Sequence, residues 1–148
     1  MILVTGGTGL VGSHLLLHLL QMGHEVRATH RKSSKLIEVR KVFSYYSESS
    51  IELFDKIEWV LADINDISAL ENAFNGIEKV FHAAALISFD PNDFDRLMKI
   101  NVEGTANIVN LCIAKNVQKL CYVSSIAAIG KSLDKSTITE KNEFSDQY

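Results

Sequence analysis

Five of the first twenty-three residues are glycines, and four of them fall in the run Thr5-Gly6-Gly7-Thr8-Gly9-Leu10-Val11-Gly12. The run follows the strand-like Ile2-Leu3-Val4 and opens a segment of helical period. In that setting glycine lets main-chain N–H groups at the positive end of a helix approach a pyrophosphate closely, because no Cβ stands in the way. Gly7, Gly9 and Gly12 fit G-x-G-x-x-G, and Gly6, Gly9 and Gly12 fit the wider G-x-x-G-x-x-G, so the sequence leaves open which glycines make the turn. Thr8, Leu10 and Val11 fill the positions between and belong to the same phosphate-binding set. A nucleoside triphosphate loop also begins G-x-x-x-x-G, but it needs Lys and then Ser or Thr where this chain has Ser13 and His14.

Other chemistry finds less support. His14 and His18 are four apart on one helix, yet no third ligand or H-E-x-x-H pattern accompanies them, so they read as exposed or packing histidines. A calcium loop starting at Asp63 would need an oxygen ligand and a glycine where Ile67 and Ser68 stand. Cys112 and Cys121 form no C-x-x-C pair, which argues against a disulfide framework or a zinc site and for two small core side chains in a reducing compartment.

Those residues need a scaffold, and the composition allows one. A chain of 148 residues with 47% hydrophobic and 22% charged side chains can bury the core of a single domain spanning residues 1–148. The net charge of -3 and pI near 5.9 provide no positive field for a nucleic acid or an anionic membrane. The longest apolar stretch, residues 15–22, is too short to span a bilayer and contains His18. No leader precedes the first strand, so a cytoplasmic location is expected.

Short β-branched runs alternate with longer helical segments, the pattern of an α/β fold with a doubly wound parallel sheet of Rossmann type. Strands are expected over residues 2–4, 26–29, 57–61, 79–81 and 119–123, each apolar enough to be covered on both faces. Helices are expected over residues 10–22, closed by Gly23; over 35–46, with Leu36, Val39, Val42, Phe43 and Tyr46 on one stripe; over 67–74, stopped by Gly76; and over 94–114, capped by Asp93. In the last, Leu97, Ile100, Ile108 and Cys112 are spaced to face the sheet. Residues 44–50 read as a surface loop, and the apolar period fades from Lys131 onward, as though the domain stopped after its fifth strand.

Five segments in order then carry a resemblance. Residues 5–15, Asp63-Ile64, His82-Ala83-Ala84-Ala85, Asn101-Val102-Glu103-Gly104-Thr105 and Tyr122-Val123-Ser124-Ser125 resemble the extended short-chain dehydrogenase/reductases. That family includes nucleotide-sugar epimerases and dehydratases, dihydroflavonol reductases and hydroxysteroid dehydrogenases, and the likeness runs from Met1 to about Gly130. It implies NADP or NAD as cofactor. Similar NAD-binding members place an aspartate at the end of the second strand to accept hydrogen bonds from the adenine ribose, where this chain has His30 followed by Arg31 and Lys32. Arg31 resembles the arginine with which dihydroflavonol-type reductases grip a 2′-phosphate, so NADP is preferred; the plainer reading is that Arg31 and Lys32 are solvated loop charges. By the same resemblance Asp63 and Ile64 hold the adenine, and Ala83, Ala84 and Ala85 let ribose and pyrophosphate lie against the backbone. Asn101 supports an active-site water and the neighbouring backbone, and Ser125 hydrogen-bonds the reacting oxygen with Ser124 beside it.

Family chemistry also needs a tyrosine with a lysine four residues later as its acid/base pair. No Y-x-x-x-K occurs here: Tyr45, Tyr46 and Tyr122 are followed at that spacing by Ser49, Ser50 and Ile126, and Tyr148, the last residue, is either the catalytic tyrosine with its lysine cut away or, the favoured reading, part of the loop before it. The chain is therefore expected to be the N-terminal part of an NAD(P)-dependent enzyme, inactive by itself, whose small-molecule substrate is chosen by the missing half. The intact protein would transfer hydride at a carbinol or carbonyl carbon, and relatives commonly form homodimers. The segments Phe81-His82-Ala83-Ala84-Ala85 and Ser88-Phe89-Asp90-Pro91 resemble the reductase and hydroxysteroid branch more than the epimerases. The alternative is a non-catalytic NADP-binding redox sensor of the same fold.

Overall fold

The computed structural model describes residues 1–31, 36–129, 137–140 and 142. Five parallel strands, β1 (Ile2–Thr5), β2 (Val26–His30), β3 (Glu58–Leu61), β4 (Lys79–His82) and β5 (Lys119–Tyr122), form one sheet in the order β3-β2-β1-β4-β5. The chain steps outward from β1 to β3, then returns to the other side of β1 for β4 and β5. That reversal separates the connections leaving β1 and β4 and opens a crevice at their carboxyl ends.

Every residue of β1 is buried. Ile2 and Val4 point to one face, where they meet Leu16, Leu19 and Leu20 of helix α1 (Leu10–Gln21) and Val39 and Phe43 of α2 (Leu36–Ser44). Leu3 points to the other, against Leu70, Ala73 and Phe74 around α4 (Ile67–Ala73) and Ile108, Leu111 and Cys112 of α6 (Gly104–Ala114). Alternate side chains of one strand thus enter two separate cores, as a sheet covered on both faces requires. The helix α1 stops as expected: Gly23 takes φ +80, and the Gly23 and His24 amides donate to the carbonyls of Leu20 and Leu19.

The structure departs from the sequence reading in five places. The loop expected over 44–50 gives way at Ser50 to a short helix that the sequence reading did not assign, α3 (Ser50–Asp55), which sets Phe54 edge-on to Phe43 at 6.1 Å and beside Trp59 at 5.8 Å. Six residues with Ile51 exposed make too little period to be seen. The second helix ends at Ser44, so Tyr46 leaves the apolar stripe and lies exposed, its hydroxyl 3.3 Å from His14 Nε2. The edge strands β3 and β5 are not covered on both faces; Tyr122 and Cys121 of β5 are exposed, so Cys121 is no core residue. Asp93 stands at the N-cap position of the helix beginning at Phe94, but its carboxylate caps no amide there: Asp90 caps a 3-10 turn at Pro91–Asp93 through the Asn92 amide, while Asp93 accepts from Ser88 and Arg96. The expected single helix over 94–114 is a rod of three parts, α5 (Phe94–Leu97), a π-helical stretch at Met98–Glu103, and α6. Lys32, the residues from Lys131 to Ser136 and Tyr148 lie outside the described residues. No helix among the described residues is long and apolar enough to cross a membrane.

Candidate cofactor-binding site

The turn after β1 resolves the choice of glycines. Gly6 has φ +72, its carbonyl accepts from the Gly9 amide at 2.9 Å, and a Cβ there would stand 2.5 Å from the Ala84 nitrogen and 2.6 Å from the Ala83 carbonyl. A Cβ on Gly12 would overlap the Gly6 carbonyl oxygen. Gly6, Gly9 and Gly12 therefore make the turn. Gly7 has no positive φ and packs inward, with Leu16 Cδ1 and the Ala28 Cβ 3.0 and 3.2 Å from where its Cβ would be. Gly9 is the N-cap of α1, no side chain caps it, and the first turn carries no acid. The amides of Leu10, Val11 and Gly12 fall in the first turn, where α-helical geometry offers no partner within the helix. Leu10 and Val11 leave their apolar side chains exposed beside them. Such a bare, positively polarised backbone cradle fits a diphosphate.

The crevice is lined by Gly6, Thr8 and Gly9 of the turn, by Arg31, Asp63 and Ile64, by Ala83, Ala84 and Ala85, and by Thr29, His30, Ala62 and Ile100. Nine of the residues expected from sequence thus meet in one place. Leu10, Val11, Gly12, Asn101 and Ser125 do not line it. Asp63 follows β3, where its Oδ1 accepts the Asn65 amide at 2.9 Å and its Oδ2 lies 4.0 Å from Arg31 Nη1 across the mouth. Both side chains are largely solvated, so this pair adds little to stability. Cap duty for α4 falls to Asp66, whose Oδ1 accepts from the Ala69 amide. The His30 Nδ1 atom is buried without a hydrogen-bond partner, an orphan polar group in a residue that lines the crevice.

One rod holds the far wall. The Asn101 amide, inside the π-helical stretch, accepts from the Leu86 N–H at 2.8 Å and donates to the Leu86 carbonyl at 2.9 Å, pinning the strand end just past Ala85. Asn107 Nδ2 donates to the Ile64 carbonyl at 3.0 Å, and Gly104 sits so close to Ile64 that a Cβ would stand 2.5 Å from its Cδ1. A single stretch of helix therefore positions both Ile64 and Ala85. Asn101→Ala should cost about 1–3 kcal/mol of unfolding free energy by leaving two part-buried backbone groups unpaired; a urea midpoint equal to the parent's would refute this role.

His82, Thr5 and Thr105 were not singled out from sequence. His82 is fully buried at the end of β4, with Nδ1 2.6 Å from the Thr5 hydroxyl and Nε2 3.0 Å from that of Thr105. Desolvation lowers its pKa from the ordinary 6.5 to about 4. A signal was present: a histidine closing an apolar strand needs hydrogen-bond partners if it is buried. Ser124 and Ser125 are exposed after β5, the Ser125 carbonyl accepting from Ala128 in a 3-10 turn. No group of three or more metal-ligating side chains occurs among the described residues.

The sequence model of the 3-beta hydroxysteroid dehydrogenase/isomerase family matches residues 3–147. A putative dihydroflavonol 4-reductase of Synechocystis sp. is 37% identical over 127 residues, covering 86% of this chain and 33% of its own length. The Arabidopsis thaliana dihydroflavonol 4-reductase is 29% identical over 145 residues, 97% of this chain and 37% of that protein. A short-chain dehydrogenase/reductase superfamily protein of Agrobacterium tumefaciens, solved with bound NAD, superposes with a TM-score of 0.68 at 30% identity, covering 86% of this chain and 33% of that one. The chain spans about a third of the length of the relatives it matches. With its sheet order, its glycine turn and that match over nearly its whole length, this chain belongs to the 3-beta hydroxysteroid dehydrogenase/isomerase family of extended short-chain dehydrogenase/reductases.

Proposed function

We propose that these 148 residues bind a nicotinamide dinucleotide, NADP in preference to NAD, and form the cofactor-holding part of an oxidoreductase acting on a small-molecule carbinol or carbonyl. The observation that carries this is the Gly6-Gly9-Gly12 turn, whose backbone at Gly6 and Gly12 closes too tightly for any side chain and whose Gly9, the N-cap of α1, lines the β1/β4 crevice. Those amides hold the pyrophosphate. Asp63 and Ile64 hold the adenine, with the Asp63 carboxylate accepting from its exocyclic amine, and Ala83, Ala84 and Ala85 form the floor beneath ribose and pyrophosphate. Asn101 keeps that floor in place through Leu86.

The end of β2 supports the choice of NADP. His30 stands where an acid would repel a 2′-phosphate, its Nδ1 lacks a partner, and Arg31 beside it keeps most of its guanidinium in solvent. When bound, the nicotinamide supplies or accepts hydride at the substrate carbon. Ser125 donates its hydroxyl to the reacting oxygen, and Ser124 supports it. The proton would be moved by a tyrosine with a lysine four residues later, and no such pair occurs in the 148 residues, so this part binds cofactor and does not turn over alone. Likeness to dihydroflavonol 4-reductases and to the 3-beta hydroxysteroid dehydrogenase/isomerase family favours net oxidoreduction over epimerisation.

Fluorescence titration tests the cofactor. NADPH should bind about 10- to 100-fold more tightly than NADH, as one or two charge-assisted hydrogen bonds to phosphate allow. Arg31→Ala should erase most of the difference by weakening NADPH alone. Equal affinities in the parent protein would overturn the NADP preference and leave the fold assignment intact.

A further inference from the structure

His82 does more than fill space. A hydrocarbon side chain would pack at the end of β4 without the cost of burying two ring nitrogens, so an imidazole there has to be justified by what it holds. With its pKa near 4 the ring is neutral at pH 7 and offers one N–H and one bare nitrogen. Threonine hydroxyls suit both, since each can donate to the bare nitrogen or accept from the N–H. Thr5 is the residue before Gly6. Thr105 lies one turn beyond Asn101 in the same rod. The third neighbour is Tyr122, which stacks on the imidazole with ring centroids 5.3 Å apart at 26° and stands three residues before Ser125. The phosphate-binding turn, the Asn101 rod and the strand that delivers Ser125 all meet at this one ring.

We propose that His82 is a positioning residue which, through Thr5, Thr105 and Tyr122, fixes the glycine turn, the Asn101 rod and the Ser125 strand in one register, so that the dinucleotide is held in a single place relative to Ser125. The proposal rests on the dinucleotide reading above. It assigns His82 no contact with cofactor or substrate. Its effect passes through Thr5 into Gly6, whose turn already touches the Ala83 and Ala84 backbone, and through Thr105 into the helix that pins Leu86.

The test is NADPH titration and thermal melting of the 148-residue chain and four variants. Thr105→Val removes one hydroxyl at nearly constant volume and should weaken NADPH binding about tenfold, the worth of one buried hydrogen bond that holds the bound geometry. Thr105→Ser, which restores the hydroxyl, should bind like the parent. His82→Phe keeps an aromatic ring against Tyr122, loses both hydrogen bonds, and should weaken binding more than Thr105→Val. Val39→Ala on α2, buried and away from the crevice, should lower the melting temperature and leave affinity alone. A histidine that serves only stability would make Thr105→Val and His82→Phe behave like Val39→Ala, and that result overturns the proposal. Should His82→Phe fail to fold, the Thr105→Val and Thr105→Ser pair decides. If the parent binds neither NADPH nor NADH, the dinucleotide reading falls and this one with it; if the parent binds and Thr105→Val binds equally well, only the role of His82 falls.

Discussion

Gly12→Ala should weaken dinucleotide binding by more than about a hundredfold and lower stability. The new Cβ would overlap the Gly6 carbonyl oxygen and stand 2.8 Å from the Gly6 carbonyl carbon and 2.9 Å from Gly7 Cα. All three obstacles are backbone, so no rotamer change relieves them and α1 must back away from β1. Overpacking of this kind costs about 1–3 kcal/mol. Displacing the amides that open α1, which the proposed function assigns to the pyrophosphate, accounts for the loss in NADPH binding, roughly 2.7 kcal/mol. Gly23→Ala is the matched control. It meets nothing within 4 Å but has φ +80, so it should cost about 1–2 kcal/mol of strain and leave affinity unchanged. Calorimetric titration and melting of the two variants separate the cases, and a Gly12→Ala protein that bound NADPH within a few-fold of the parent would contradict the placement of the pyrophosphate.

The second large effect is on pH. Burial holds His82 neutral by lowering its pKa from 6.5 to about 4. Between those values the unfolded chain binds a proton that the folded chain does not, so acidification favours unfolding. The contribution is complete above pH 6.5, falls as pH drops through 6.5, and reaches its full loss of about 3 kcal/mol near pH 4. Asp93 does not blur this window. Its carboxyl is held down first by the Ser88 hydrogen bond and then by Arg96, so what it contributes is lost only as pH falls below the ordinary carboxylate range. Urea unfolding from pH 7.5 to 4.5 should show the midpoint level at first and falling once the pH drops through 6.5, and His82→Gln should flatten the curve. A His82 imidazole that NMR finds titrating near 6.5 would be incompatible with the buried, doubly bonded ring.

Local constraints were legible in the sequence and distant ones were not. The glycine turn could be read because its requirements lie within eight consecutive residues. Which glycine bends the chain could not, because the deciding neighbours, Ala83 and Ala84, are more than seventy residues away. The fourth helix was visible as an apolar period, but its π-helical stretch was not, since the partner of Asn101 is the Leu86 backbone across a loop. Cys121 and Tyr122 look like core residues when strand composition is all that is known; they are exposed because β5 pairs on one side only among the described residues. His82 was noticed as part of a run of small residues. Its two hydroxyl partners come from β1 and from the rod, and no window of sequence contains all three.

Helical stretches of the π kind are wound with more residues per turn than the helix on either side. Met98–Glu103 therefore changes the angular phase of the rod, as though a residue had been slipped into an otherwise regular spiral. Each residue of an α-helix advances about 100° around its axis, so winding these same six residues as ordinary α-helix would swing the segment before them, by up to about that angle, relative to α6. Asn101 and Asn107 could then no longer reach Leu86 and Ile64 at the same time. The extra winding is the vernier that lets one continuous element address the segments that follow two separate strands.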